Sequence, residues 1–163
     1  MPDRQQLLSI YVNDHLVGSS AGRDLFRRAA RGQRDTPRGP ELARLAREVD
    51  EDRDAQLELM RGLDVTPSRP RAIAGRVAET LGRLKPNGTL LRRSPLSHLV
   101  ELEALRVAVD GKTAGWEALL AVVDEEPRLS LSRLEQLRER AVDQAERLRI
   151  MHLEAAVEAL GRP

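Results

Sequence analysis

Apolar residues recur at steps of three and four over several stretches that are many helical turns long. This spacing constrains the fold more than any other feature of the sequence. Such steps place side chains on one face of a helix with 3.6 residues per turn. No stretch alternates apolar and polar residues with the period of two that is typical of a half-buried strand. The sequence therefore predicts an all-α protein.

Four long helices and one shorter helix account for the pattern. Serine or threonine followed by proline is a common helix start, and Ser94-Pro95 has this form. The second helix can start in the same way at Thr36, or at Gly39-Pro40. Ser132-x-x-Glu135 has the spacing of a capping box, with Ser130 as an alternative start for the last helix. The predicted helices cover residues 3–31, 37–63, 67–84, 95–123 and 132–160.

The lengths of the connections predict how these helices are arranged. Short loops join the first two long helices and the last two, so each pair is expected to be antiparallel. The connection between the pairs is long and contains the shorter helix. We expect a four-helix bundle with a long crossover that carries an extra short helix; five helices in an up-and-down array are the alternative. The 163 residues suit a single helical-bundle domain over 1–163.

Composition narrows the class of protein. The chain has three aromatic residues, Tyr11, Phe26 and Trp116, so leucine, alanine and valine must build the core. With 27 basic and 26 acidic residues, the net charge of +1 provides no general attraction to nucleic acid or to anionic lipid. Cysteine is absent, which excludes disulfides and thiolate chemistry. No signal peptide and no membrane-spanning run is recognisable, so we expect a cytoplasmic protein without membrane insertion.

Two sequence patterns accompany this layout of helices. Residues 13–16 read NDHL on the first helix, and residues 36–52 follow the pattern TPxGxxLxxLxxExxED on the second. A histidine, His152, lies near the end of the last helix. Together these features resemble the ferritin-like superfamily, and in particular a group of small uncharacterised bacterial proteins of actinobacterial type. The resemblance implies a bundle fold and does not by itself imply iron chemistry.

A ferritin-type di-iron centre needs a glutamate on each of two helices and Glu-x-x-His on each of the other two. The chain contains no Glu-x-x-His: Glu51 follows Glu48 at that spacing, and Arg149 precedes His152. We therefore predict no metal, no other cofactor and no catalytic residue. If a metal such as iron or manganese does bind, the candidate ligands are Asp14, His15, Glu48, Glu51 and Asp52.

Polar residues on the apolar faces predict two clusters. A turn near residues 34–37 places His15 opposite Gln56, so a polar layer is expected to contain Asp14, His15, Asp52 and Gln56. Similar reasoning places His98 and Glu101 near His152. Hydrogen bonding at the edge of the core is one interpretation of the first layer. The alternative is a small metal site, or a proton-transfer pair formed by His15 and Asp52.

A run of small residues, GSSAG at 18–22, adds two glycines one helical turn apart on the inner face of the first helix. Each glycine in a helix costs about 1 kcal/mol relative to alanine, so close packing or a cavity should offset it. We expect close packing of another helix or room for Trp116, and a ligand pocket is the alternative. The triplet Gly111-Lys112-Thr113 is not a phosphate loop, because arginine occupies position 106, where the first glycine is required.

These observations favour a non-catalytic structural or interaction role. The last helix carries apolar residues well away from its core-facing side, namely Val142, Ile150 and Val157, and these predict a homodimer or a protein partner. The alternative function is a degenerate ferritin-like metal-binding or redox protein.

Overall fold

A computed structural model describes residues 2–68 and 94–161. Within these ranges there are four α-helices and no strand: α1 (Arg4–Gly32), α2 (Gly39–Gly62), α3 (Pro95–Leu120) and α4 (Leu131–Leu160). A 3₁₀ turn, Val123–Glu125, follows α3. For the described residues, the all-α prediction is confirmed. The helix predicted at 67–84 lies outside them, except for Pro67 and Ser68, which are not helical.

Three of the four described helices begin where a side chain satisfies one of their first backbone N–H groups. Asp3 caps α1 through the Gln6 N–H (2.7 Å), and the Gln6 side chain accepts from the Asp3 N–H (3.2 Å). Ser94 caps α3 as predicted, and Ser130, the predicted alternative to Ser132, caps α4.

The second predicted start of α2, with Gly39 as the cap, is one residue away from the observed one, in which Arg38 occupies the cap position. This helix begins at Gly39, with Pro40 in its first turn. A Cβ atom at Gly39 would lie 2.7 Å from the carbonyl oxygen of Gln33, so the preceding turn requires glycine here. The end of α3 also differs from the prediction, because this helix stops at Leu120 rather than at Val123. The β-branched pair Val122-Val123 and the acids that follow are unfavourable at a helix C-terminus.

Contacts along the helices give their directions. Arg27 of α1 pairs with Asp50 of α2 (2.9 Å), while the Gln56 side chain bonds to the Val12 carbonyl (3.2 Å), so α1 and α2 are antiparallel as predicted. The pair formed by α3 and α4 is antiparallel as well, because His152 bonds to Glu103 whereas Gln144 bonds to Lys112.

The two ends of the long connection lie at opposite ends of the bundle. The Leu63 carbonyl, just after α2, accepts a hydrogen bond from Gln5 at the start of α1 (3.0 Å). Glu101, near the start of α3, accepts one from Gln33 at the end of α1 (2.8 Å). The helix directions are therefore those that the predicted crossover requires.

The core consists mostly of leucine and alanine, as the composition predicts. The fully buried side chains include Phe26, Met60 and a set of leucines at positions 42, 45, 63, 102, 105, 134, 137 and 148. Long charged side chains connect α2 with α4 beside this core. Examples are Arg147 with Glu41 (2.8 Å) and Arg140 with Glu51 (3.0 Å).

Candidate functional site: a cavity with a buried ionic cluster

A cavity of about 460 Å³ opens between α1 and α3 and reaches inward to α2. Small residues on the two facing helices leave this space: Gly18, Ser19, Ala21 and Gly22 on α1, and Ala104, Ala108, Gly111 and Gly115 on α3. Gly22 also packs closely, since a Cβ atom there would lie 3.6 Å from the Ala108 Cβ. The run at 18–22 thus serves both purposes considered for it, helix packing and a pocket.

Large apolar side chains form most of the remaining wall. Val12, Phe26, Val49 and Leu119 line the cavity, together with Trp116. Trp116 is 4% exposed, and its indole Nε1–H has no hydrogen-bond partner among the described residues. A buried donor of this kind usually finds an acceptor. An acceptor on a bound molecule would satisfy it.

His15 lies in the cavity wall because Gly115 leaves room for its ring. A Cβ atom at Gly115 would be 2.7 Å from His15 Nδ1. The rings of His15 and Tyr11 pack at a tilt, with their centroids 4.6 Å apart. Burial lowers the pKa of His15, and the nearby Asp14 carboxylate only partly offsets this effect. His15 is therefore neutral at pH 7, with one ring nitrogen available as an acceptor and the other as a donor.

A buried ionic cluster lies at the inner side of the cavity. Lys112 of α3 donates to Asp52 Oδ2 of α2 (2.5 Å) and to Gln144 Oε1 of α4. Gln144 Nε2 in turn donates to Asp52 Oδ2 and to Glu48 Oε2, at 3.2 Å each. Asp52 is 2% exposed and Gln144 is completely buried. One carboxylate, one ammonium group and one amide thus connect three helices inside the bundle.

Two arginines of α4 flank this cluster. Arg140 pairs with both Asp52 and Glu51, and Arg147 pairs with both Glu48 and Glu41. Burial raises the pKa of Glu48, but hydrogen bonds from Arg147 and Gln144 outweigh it, so the pKa is lowered overall. Burial also lowers the pKa of Lys112, against the opposing effect of Asp52.

The structure places the sequence-predicted residues in two groups. The predicted polar layer of Asp14, His15, Asp52 and Gln56 lines the cavity, whereas Glu48 and Glu51 face α4 and its arginines. Among residues 2–68 and 94–161, no group of three or more histidine, aspartate or glutamate side chains could hold a metal ion. Asp52, Glu48 and Glu51 are each paired with a cationic side chain instead.

The second predicted cluster is wrong in its acidic member. His152 bonds to Glu103 (3.2 Å) and to Arg106 (3.1 Å), while Glu101 faces Gln33 on α1. Residues two apart on a helix differ by about 200° in direction. Glu103 therefore faces α4 when Glu101 faces α1.

Sequence reasoning missed Lys112, Gln144, Arg140 and Arg147. Gln144 carried a usable signal, because it occupies a seam position between Ala141 and Leu148 at steps of three and four. A polar residue at such a position in a leucine–alanine seam indicates a buried hydrogen-bonded partner.

Comparison of the chain with protein-family models, with curated proteins and with solved structures returned no match. The resemblance to the ferritin-like superfamily therefore stays a prediction. Within the described part of the chain, no helix is both long enough and apolar enough to cross a bilayer.

Proposed function

We propose that this protein binds a small, largely apolar molecule in the cavity between α1 and α3, as a non-catalytic binding protein. The observation that carries the proposal is the cavity itself, whose volume of about 460 Å³ lies in the range of small-molecule sites. Its walls are mostly apolar, and the few polar side chains come from α1, α2 and α3. Displacing water from such a wall is favourable, and this is the driving force for binding.

The polar groups of the cavity indicate what polar group the bound molecule carries beside its apolar body. Trp116 provides a buried donor that has no partner among the described residues, and His15 provides one donor or one acceptor. No arginine lines the cavity in the described part of the chain, and two acids, Asp14 and Asp52, do. A neutral oxygen on an apolar body fits these surroundings better than a phosphate or a carboxylate does.

Trp116 makes the proposal directly testable, because it is the only tryptophan of the chain. Titration with octan-1-ol should change its fluorescence with saturation, and calorimetry should give the same dissociation constant. If neither method detects saturable binding, the proposal is contradicted.

A pair of variants distinguishes binding in the cavity from binding elsewhere. Neither Gly18 nor Gly62 has an atom within 4 Å of an added Cβ, but only Gly18 lines the cavity. Gly18→Leu should fill the cavity and abolish binding, whereas Gly62→Leu should bind octan-1-ol like the unchanged protein. Circular dichroism checks that both variants retain their helices.

The outer face of α4 favours a second candidate function, interaction between two copies of the chain. The three residues predicted for a homodimer are exposed, with Val157 at 73%, and Leu153 and Leu160 extend the same apolar stripe. Positions 150, 153, 157 and 160 alternate steps of three and four, which is the spacing of a helix–helix seam. We expect a dimer by light scattering and a monomer for Val157→Glu. A monomeric mass for the unchanged protein at tens of micromolar would contradict this candidate.

A further inference from the structure

We propose that Lys112 captures a carbonyl compound, an aldehyde or ketone with an apolar body, as a protonated imine inside this cavity. The inference rests on the proposed function, because the apolar body would occupy the same space. It adds a covalent anchor and a defined class of ligand.

The position of Lys112 is the first observation. Its side chain is 12% exposed and forms part of the cavity wall, together with Trp116 and Gly111. Lysine is seldom buried in proteins unless it is paired or functional. A buried lysine loses its proton more readily than an exposed one, which makes its amine a nucleophile; burial lowers the pKa of Lys112 accordingly.

The second observation is that Asp52 has two cationic partners. Arg140 pairs with Asp52 from α4, while Lys112 pairs with it from α3. Loss of the Lys112 proton therefore leaves the buried Asp52 carboxylate with the Arg140 guanidinium. The charge of Arg140 also favours the neutral amine of Lys112. Without Arg140, deprotonation of Lys112 would leave the buried Asp52 carboxylate without a cationic partner, which is unfavourable.

The chemistry balances without an oxidant or a reductant. The lone pair of the neutral Lys112 Nζ attacks the carbonyl carbon, and the C=O π electrons move to oxygen, which takes up a proton to give a carbinolamine. Nitrogen then expels that hydroxyl, after a further protonation, as water. The net change converts an ammonium group and a carbonyl into a protonated imine and one water molecule. The positive charge stays on Nζ, opposite Asp52, so the ion pair of the cluster is retained.

The cavity wall disfavours a carbonyl compound that carries an acidic group. Among its described residues, Lys112 is the only lysine or arginine, so a phosphate or carboxylate on the ligand would find no second cation. Aliphatic or aromatic aldehydes and ketones without an acidic group remain.

Reductive trapping tests the proposal on the unchanged protein. Octanal is added with sodium cyanoborohydride, which reduces an imine to a stable secondary amine, and peptide mass spectrometry measures the label at each amino group. The chain has two lysines, Lys85 and Lys112, so Lys85 and the terminal amine provide the internal comparison. The Lys112 label should form about tenfold faster or more at low octanal, because the bound aldehyde is held beside the amine. Its rate should saturate with octanal, and octan-1-ol should slow it while leaving Lys85 unaffected.

Two variants complete the test. Lys112→Arg keeps a positive charge opposite Asp52 but cannot form an imine, so the saturable label should disappear. Lys85→Arg, the matched control, should retain it.

The possible failures are distinguishable. If octan-1-ol changes Trp116 fluorescence but Lys112 is labelled no faster than Lys85, the imine proposal is overturned and the binding proposal stands. If octan-1-ol does not bind and Lys112 shows no saturable label, both proposals fail. Labelling of Lys112 that neither saturates with octanal nor responds to octan-1-ol indicates an ordinary reactive lysine, and it also overturns the imine proposal.

Discussion

At the scale of single residues, the cavity depends on glycines that face different surroundings. Gly18 borders open space, whereas Gly115 lies against the His15 ring. The same substitution should therefore have opposite effects at the two positions, although both lie inside long helices. The comparison separates the intrinsic helix propensity of glycine from its local packing.

Gly18→Ala should stabilise the protein by about 1 kcal/mol, because alanine is the better helix former and its methyl group meets no atom. Gly115→Ala should destabilise it, because the new methyl group would overlap the His15 ring. Urea denaturation of both variants measures the difference. Equal stabilisation by the two substitutions would contradict the described position of His15.

Glu126 provides a second prediction at this scale. Hydrogen bonds from the Arg128 side chain lower the pKa of Glu126 to about 2, well below its usual value near 4.3. The unfolded state therefore binds a proton at higher pH than the folded state does. This contribution to stability is fully present above about pH 4.5 and is lost as the pH falls toward about 2.

We expect the midpoint of thermal unfolding to fall less steeply with pH over this range for Glu126→Gln than for the unchanged protein. Exposed Glu139, whose side chain makes no hydrogen bond to another described residue, provides the matched control, and Glu139→Gln should leave the slope nearly unchanged. Identical slopes for all three proteins would show that Glu126 does not titrate abnormally.

At the scale of helices, α4 presents two different faces to its neighbours. Leucine and alanine pack toward α3 and the centre, whereas Arg140 and Arg147 extend toward carboxylates of α2. The long arginine side chains bridge α2 and α4 without close approach of the two backbones. This arrangement leaves room for a buried polar cluster beside the apolar core.

Substitutions at the start of α4 test whether Ser130 is its cap. Ser130 accepts a hydrogen bond from the Arg133 N–H, so Ser130→Ala should cost about 1 kcal/mol of unfolding free energy. Ser132→Ala removes a serine hydroxyl too, but one that lies within the first turn and does not cap the helix. It should change stability by no more than a few tenths of a kcal/mol. Chemical denaturation of the two variants measures their free energies of unfolding. A larger loss of stability for Ser132→Ala would show that Ser132, and not Ser130, is the cap.

At the scale of the whole molecule, the cluster of Asp52, Lys112 and Gln144 joins three helices that are distant in sequence. Such a cluster contributes to the relative register of the helices, and its net effect on stability is small as long as it is complete. Removing Asp52 leaves the buried Lys112 without its carboxylate partner, whereas Asp52 keeps Arg140 when Lys112 is removed.

Asp52→Leu should therefore destabilise the protein by about 3 kcal/mol or more. Among the described residues, Lys112 loses its only carboxylate bond and Arg140 loses one of two. The double variant with Lys112→Met should recover part of this loss. A double-mutant cycle in urea measures the coupling between the two residues. Additive effects would show that the pair is not formed in solution.

The sequence by itself determined the four long helices of the described residues, apart from their exact ends, their antiparallel pairing and the polar residues on the α1–α2 seam. Each of these follows from local periodicity and from the length of a short loop, which fixes which residues face each other. Thus His15, Asp52 and Gln56 of the predicted polar layer lie around one cavity, which was only the alternative to close packing, and Ser94 caps α3 as predicted.

Only the tertiary structure decided how the two helix pairs fit together. The meeting of Lys112 with Asp52, and of Gln144 with both, depends on the rotation and level of α3 and α4 relative to α2. A long connection does not fix those quantities; side-chain packing between the pairs does. Within the α3–α4 pair, the rotation of α3 about its own axis decided the acidic partner of His152: the sequence predicts Glu101, and the packed helices bring Glu103 there while Glu101 faces α1.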